Sequence, residues 1–130
     1  MQTRILMMSS AALLLGLGLL LTFDPDGLVA YTGTPAQPLI TLLAQAAGAL
    51  YLGFAILNWM AKDNLIGGIY SRPVALGNLL HFFITAMTLL RFILSGAHAT
   101  PLLVLGLVYT VFTVWFGLVV FGSPVGRRHA

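Results

Sequence analysis

The sequence predicts an all-α membrane fold: a four-helix transmembrane bundle, N-in/C-in. Three observations predict it. Four apolar runs, Ile5–Thr22, Leu39–Ala61, Val74–Ser95 and Leu102–Phe121, are 18 to 23 residues long and hold one charged residue, Arg91, between them. That is the length a helix needs to cross a bilayer. Hydrophobic residues make up 59% of the 130 and charged residues 7%, too little charge to cover a water-exposed surface. Finally, the basic residues alternate with the runs. Arg4, Lys62, Arg72, Arg127 and Arg128 fall at one membrane face, and the loops at the other face carry neither Lys nor Arg. The positive-inside rule places that basic face in the cytoplasm.

Run one follows Arg4 and is read as a span. A signal-peptide h-region is usually shorter, and no clear small-residue cleavage site follows. The first loop contains Asp24-Pro25-Asp26-Gly27, a turn signal, and then Leu28–Tyr31, expected as a short helix along the outer surface. Pro38, Pro73 and Pro101 precede runs two, three and four, where proline suits a first helical turn. The loops are too short for an extramembrane domain, so residues 1–130 form a single transmembrane domain. Tyr51, Trp59, Tyr70, Tyr109 and Trp115 are expected as interface anchors or pocket walls, and Trp59, Tyr70 and Trp115 suit the inner membrane interface.

Within the spans, the polar residues define faces. Asn78, His81, Thr85 and Thr88 are spaced to share one side of run three, with Arg91 at its edge. Polar side chains in hydrocarbon face protein or a water cavity, so this side is expected to point into the bundle. Run two offers Thr41, Gln45 and Gly48 on one side. Run four offers Gly106, Thr110, Thr113 and Gly117, and run one Ser9, Ala12 and Gly16. Small residues at such spacing let helices approach closely. Matching depths gives two polar layers: an outer one of Gln45, Thr88 and Arg91, capped by Asp24 or Asp26, and an inner one of Asn58, Asn78 and His81. These six span residues, Asn58, Asn78, His81, Gln45, Thr88 and Arg91, are the candidate ligand-binding set. The bland readings stand beside it. Asn and Gln serve as interhelical glue, Thr bonds back to its own helix, and Arg91 snorkels to the outer headgroups.

Several chemistries are excluded. There is no cysteine and no glutamate, and Asp24, Asp26 and Asp63 all lie outside the runs. Thiolate chemistry and intramembrane carboxylate proton coupling are therefore absent from a single chain. A metal centre lacks ligands: His81 and His98 would stand about 25 Å apart on a continuous helix. No phosphate-binding loop is present, and the basic residues follow topology rather than forming a nucleic-acid patch. No metal, resident cofactor or catalytic residue is expected. What remains is binding of an apolar molecule with a polar head, such as a lipid or a quinone, or of other helices.

The segment from Gly48 to Arg91, GALYLGFAILNWMAKDNLIGGIYSRPVALGNLLHFFITAMTLLR, carries a resemblance. Its most specific part runs from Asn58-Trp59 through Gly67-Gly68-Ile69-Tyr70-Ser71-Arg72-Pro73 to Asn78 and His81. It resembles small bacterial four-helix membrane proteins of the broad DoxX-like group. That resemblance implies a four-span fold in a bacterial inner membrane. Most of the group is uncharacterised, and a few members are linked to quinone or sulfur redox chemistry. Here Lys62 and Arg72 flank a short loop that meets anionic inner-leaflet lipids. The leading expectation is a non-catalytic membrane protein that binds lipid, quinone or partner helices. The alternatives are a subunit or small enzyme of membrane redox metabolism with a quinone site near His81, and an oligomeric channel or transporter with Arg91 lining an anion path. Expected partners are membrane lipids, with a homo-oligomer or a membrane partner protein as further options.

Overall fold

The computed structural model describes residues 2–64, 71–96 and 100–122. Five helices follow in order: α1 (Gln2–Phe23), α2 (Pro25–Ala30), α3 (Pro38–Ala61), α4 (Ser71–Leu94) and α5 (Thr100–Gly122). Four of them, α1 from Thr3 onward and all of α3, α4 and α5, are long and apolar enough to cross a membrane. The 24 residues of α3 rise about 36 Å, against a hydrocarbon core of about 30 Å. The chain is a multi-pass integral membrane protein built as a four-helix bundle. Tyr70, His98, Arg127, Arg128 and the Gly67–Gly68 pair lie outside the described residues.

The helices coincide with the apolar runs and begin slightly earlier. Ser71-Arg72 and Thr100 supply polar first turns, and Pro38, Pro73 and Pro101 sit where a missing N–H costs nothing. At its end α4 closes onto Gly96, whose φ of 100° is left-handed and whose N–H donates to Ile93 O at 3.1 Å.

The first loop differs from expectation. The short helix spans Pro25–Ala30 rather than Leu28–Tyr31, and the Asp24–Gly27 turn is its first turn. Asp24 caps it by accepting the Gly27 N–H at Oδ1, 3.1 Å, and Pro25 occupies the first helical position. The Thr41 hydroxyl donates to Asp26 Oδ1 at 2.6 Å, tying α2 to the start of α3.

The bundle is two antiparallel pairs. α1 packs most extensively on α3, and α4 on α5. The contacts of α1 with α5 and of α3 with α4 are much fewer. The first pair is held by close approach of backbones. A Cβ at Gly48 would meet Thr22 Oγ1 at 2.6 Å and the Thr22 backbone N at 2.9 Å, so only glycine fits. A Cβ at Gly18 would meet the Leu52 side chain at 2.9 Å. The second pair is held by rings. Phe82 is fully buried, with its ring centroid 4.9 Å from Phe112, 5.1 Å from Tyr109 and 5.5 Å from Phe116.

Two of the expected faces are displaced. On α1 the buried side is Leu6, Met7, Ser10, Ala11, Leu14 and Gly18, whereas Ala12 and Gly16 are exposed and Ser9 is half-buried. On α5 the buried side is Gly106, Tyr109, Phe112 and Phe116. Thr110, Thr113 and Gly117 are half-buried beside it, and both threonines donate to their own helix, to Gly106 O and Tyr109 O. In hydrocarbon a threonine satisfies itself by such a bond, so it does not dictate the inward face.

Candidate functional site

The polar residues at membrane depth converge at one place, where the two helix pairs meet. Asn58, near the end of α3, and Asn78, two turns into α4, face each other and are both fully buried. Asn58 Nδ2 donates to Asn78 Oδ1 at 2.7 Å, and Asn78 Nδ2 donates back to Asn58 Oδ1 at 2.6 Å. The remaining amide hydrogens also have partners. Asn58 Nδ2 donates to Ser10 Oγ at 2.9 Å, and Asn78 Nδ2 donates to Val74 O at 2.9 Å. Ser10 in turn donates to Met7 O at 3.0 Å. Each amide has two N–H donors, and all four are engaged within the protein. The result is a closed clasp joining α1, α3 and α4.

His81 lies one turn beyond Asn78, half-buried, in a cage of rings. Its centroid is 5.0 Å from Tyr51, 5.2 Å from Phe82, 5.4 Å from Phe54 and 5.7 Å from Tyr109. Tyr51 and Phe54 come from α3, Tyr109 from α5. The Tyr109 hydroxyl is 3.5 Å from His81 Nε2, at the outer limit of a hydrogen bond, and also interacts with Tyr51. The imidazole thus links α3, α4 and α5, as the amides link α1, α3 and α4. The expected inner layer of Asn58, Asn78 and His81 is one contiguous region, though His81 is set among aromatics.

The other three candidates are placed apart from it. Gln45 is exposed, and its Nε2 reaches Thr22 O at 3.5 Å. It also lines a surface cavity of about 440 Å³ with Asp26, Gln37, Pro38 and Thr41. Thr88 is exposed and donates to Ile84 O at 2.8 Å. Arg91, in the last turn of α4, is exposed as well. Among the described residues no hydrogen bond or ion pair joins Gln45, Thr88 and Arg91, and Asp24 and Asp26 engage α2 and α3 instead. For Thr88 and Arg91 the reason is helical drift. The 3-4-3 spacing from Asn78 carries the line of side chains around α4, so its far end leaves the interface.

Some members were not legible. Ser10 takes part in the clasp where Ser9 was expected inward. The adjacent serines are equivalent by composition, and only the Ser10–Leu14–Gly18 register singles out the former. Tyr51 and Tyr109, expected as interface anchors or pocket walls, line the His81 cage, whereas Phe54 carries no signal, because in an apolar helix an aromatic ring looks the same whether it faces lipid or protein.

At the basic end, Arg4 Nε pairs with Asp63 Oδ1 at 3.2 Å on the exposed surface, and Lys62 Nζ lies 3.8 Å over the Trp59 ring. Among the described residues no group of three His, Asp or Glu side chains converges as a metal site would require.

These features define a polytopic helical membrane protein with an internally satisfied polar centre. No family model matches the chain, and no curated protein or solved structure is significantly similar to it.

Proposed function

We propose that this is a non-catalytic membrane protein that acts by binding membrane lipid, or the helices of a membrane partner, through its apolar outer surface. The observation that carries the reading is the closed Asn58–Asn78–Ser10 clasp: the fully buried amides spend every N–H donor on the bundle itself. Large apolar side chains meanwhile face outward along α3, among them Leu39, Leu42, Leu43, Leu50, Ile56, Leu57 and Met60. A bundle whose buried amides are satisfied from within and whose exterior is apolar offers its surface, not an internal reaction centre, for recognition. We orient it with both termini in the cytoplasm and assign it to a bacterial inner membrane. Arg4, Lys62 and Arg72 share one end with Asp63, while Asp24 and Asp26 lie at the other, and this distribution supports the orientation. Native mass spectrometry of gently extracted protein tests the reading. Retained lipid or a co-purifying membrane protein is the expected result, and bare protein that takes up neither overturns it.

A second reading, a quinone-linked redox subunit, is favoured by one observation: the half-buried His81 imidazole among four rings. An imidazole N–H within aromatic walls suits a quinone carbonyl. His81→Ala separates the readings. A quinone site loses quinone affinity, whereas a packing role lowers only the melting temperature.

A further inference from the structure

Between α1 and α3, on the outer surface of the bundle, lies a groove of about 250 Å³ lined by Ala11, Ala12, Leu15, Ala55, Ile56 and Trp59. Its floor is low because alanines at 11, 12 and 55 stand where larger side chains would fill the space. Its walls are apolar, and it opens sideways, toward where the hydrocarbon would be. One end of it is marked by Trp59, which is 53% exposed. The Lys62 ammonium lies 3.8 Å above that ring, so a cation is held at the groove's end by its own lining residue. One turn away the Arg4 guanidinium pairs with Asp63, and Arg72 lies in the first turn of α4 at the same end of the bundle. Among the described residues this end of the bundle therefore carries Arg4, Lys62 and Arg72 against the single carboxylate of Asp63, an excess of positive charge.

We propose that this groove is the seat of one anionic phospholipid, its acyl chain lying along Ala11, Ala12, Leu15 and Ala55 and its phosphate meeting Lys62. The inference rests on the lipid-binding reading above and deepens it by naming the lipid's charge class and its site. Charge complementarity selects the occupant. A second copy of the chain would bring its own cations to the same end and repel, whereas a phosphate supplies the missing negative charge. The distance also fits: Ala55 to Lys62 is seven residues, a rise of about 10 Å, so the ammonium stands beyond the groove at headgroup level while the alanines remain in the hydrocarbon. Trp59 sits between them, at the depth where an indole is favoured.

The test uses the full chain, stripped of lipid in detergent and then offered equal amounts of a phosphatidylglycerol and a phosphatidylcholine with identical acyl chains. Native mass spectrometry reads the bound lipids. We expect one retained phosphatidylglycerol, favoured several-fold over phosphatidylcholine. Lys62→Gln should abolish that preference while leaving lipid bound. Ala12→Leu changes an exposed position, so it fills the groove without entering the core, and it should reduce retention of the anionic lipid by a similar factor. Arg91→Gln, at the other end, should leave the preference intact. A preference that survives both Lys62→Gln and Ala12→Leu overturns the proposal, as does a dimer lost on Ala12→Leu that binds no lipid. If neither lipid binds and no partner protein is retained, the broader reading fails as well. If lipid binds without regard to charge, only the present inference fails.

Discussion

The two helix pairs solve one packing problem in opposite ways. Lipid tails are as apolar as leucine, so burying apolar surface does little to bring membrane helices together, and shape has to do it. The α1–α3 pair uses absence: Gly18 and Gly48 let backbones approach to where even a Cβ would collide. The α4–α5 pair uses bulk, with Phe82, Tyr109, Phe112 and Phe116 interleaving their rings. Where the first pair touches, at Gly18 and Gly48, there is no room for an addition, and where the second interleaves its rings a deletion leaves a cavity. The clasp and the His81 cage then join two pairs that otherwise touch little.

That contrast breaks most easily at Gly48. Gly48→Leu should cost about 3 kcal/mol or more, because the added atoms meet the Thr22 backbone rather than a movable side chain. Gly16→Leu and Gly53→Leu, where nothing lies within 4 Å of a Cβ, should leave stability nearly unchanged. Reversible unfolding in mixed detergent micelles compares the three, and equal losses would dissolve the distinction between tight and open glycines. On the other pair, Phe82→Ala should cost about 2 kcal/mol, the cavity contribution without the water-transfer contribution, measured by the same unfolding. Phe82→Leu should recover part of it.

The junction between the pairs responds differently from either. Asn58→Leu or Asn78→Leu alone leaves a buried amide without its partner and should cost about 1–3 kcal/mol. The double substitution removes both amides and should cost less than the sum of the singles. Additive losses in this double-mutant cycle would mean that the two amides are not coupled. The smallest effect belongs to the outward residues. Thr88→Ala and Arg91→Ala should each shift stability by no more than about 0.5 kcal/mol, and a larger loss would place them in a contact of the assembled protein.

The spans were legible because their length and lack of charge are set by the bilayer, not by the partners of each helix. The inward placement of Asn78 and His81 was legible for a related reason: an amide in hydrocarbon must find a partner, and Asn58 stood at matching depth on the preceding helix. The remaining faces were harder. α5 has no contrast between a polar and an apolar side, so Phe112 facing inward and Val111 facing outward are indistinguishable by hydropathy. On α1 two registers of small residues overlap, and only the close approach at Gly18 chooses between Ser9 and Ser10. Gln45 and Arg91 matched in depth but not in azimuth. Depth follows from counting residues, whereas azimuth depends on how far each helix is turned in the bundle.

The clasp also bears on how the protein is made. α1 and α3 contain everything their own interface needs, so that pair is complete once the chain has reached Ala61. At that moment Asn58 has Ser10 to donate to, but its carbonyl oxygen and its other N–H lack the partner that arrives only with Asn78. The half-synthesised protein thus carries an unsatisfied amide toward the lipid, a few residues from the end of its last finished helix. Arrival of α4 removes it. A nascent chain stalled between the two pairs would stay marked as incomplete by the same side chain that later joins them.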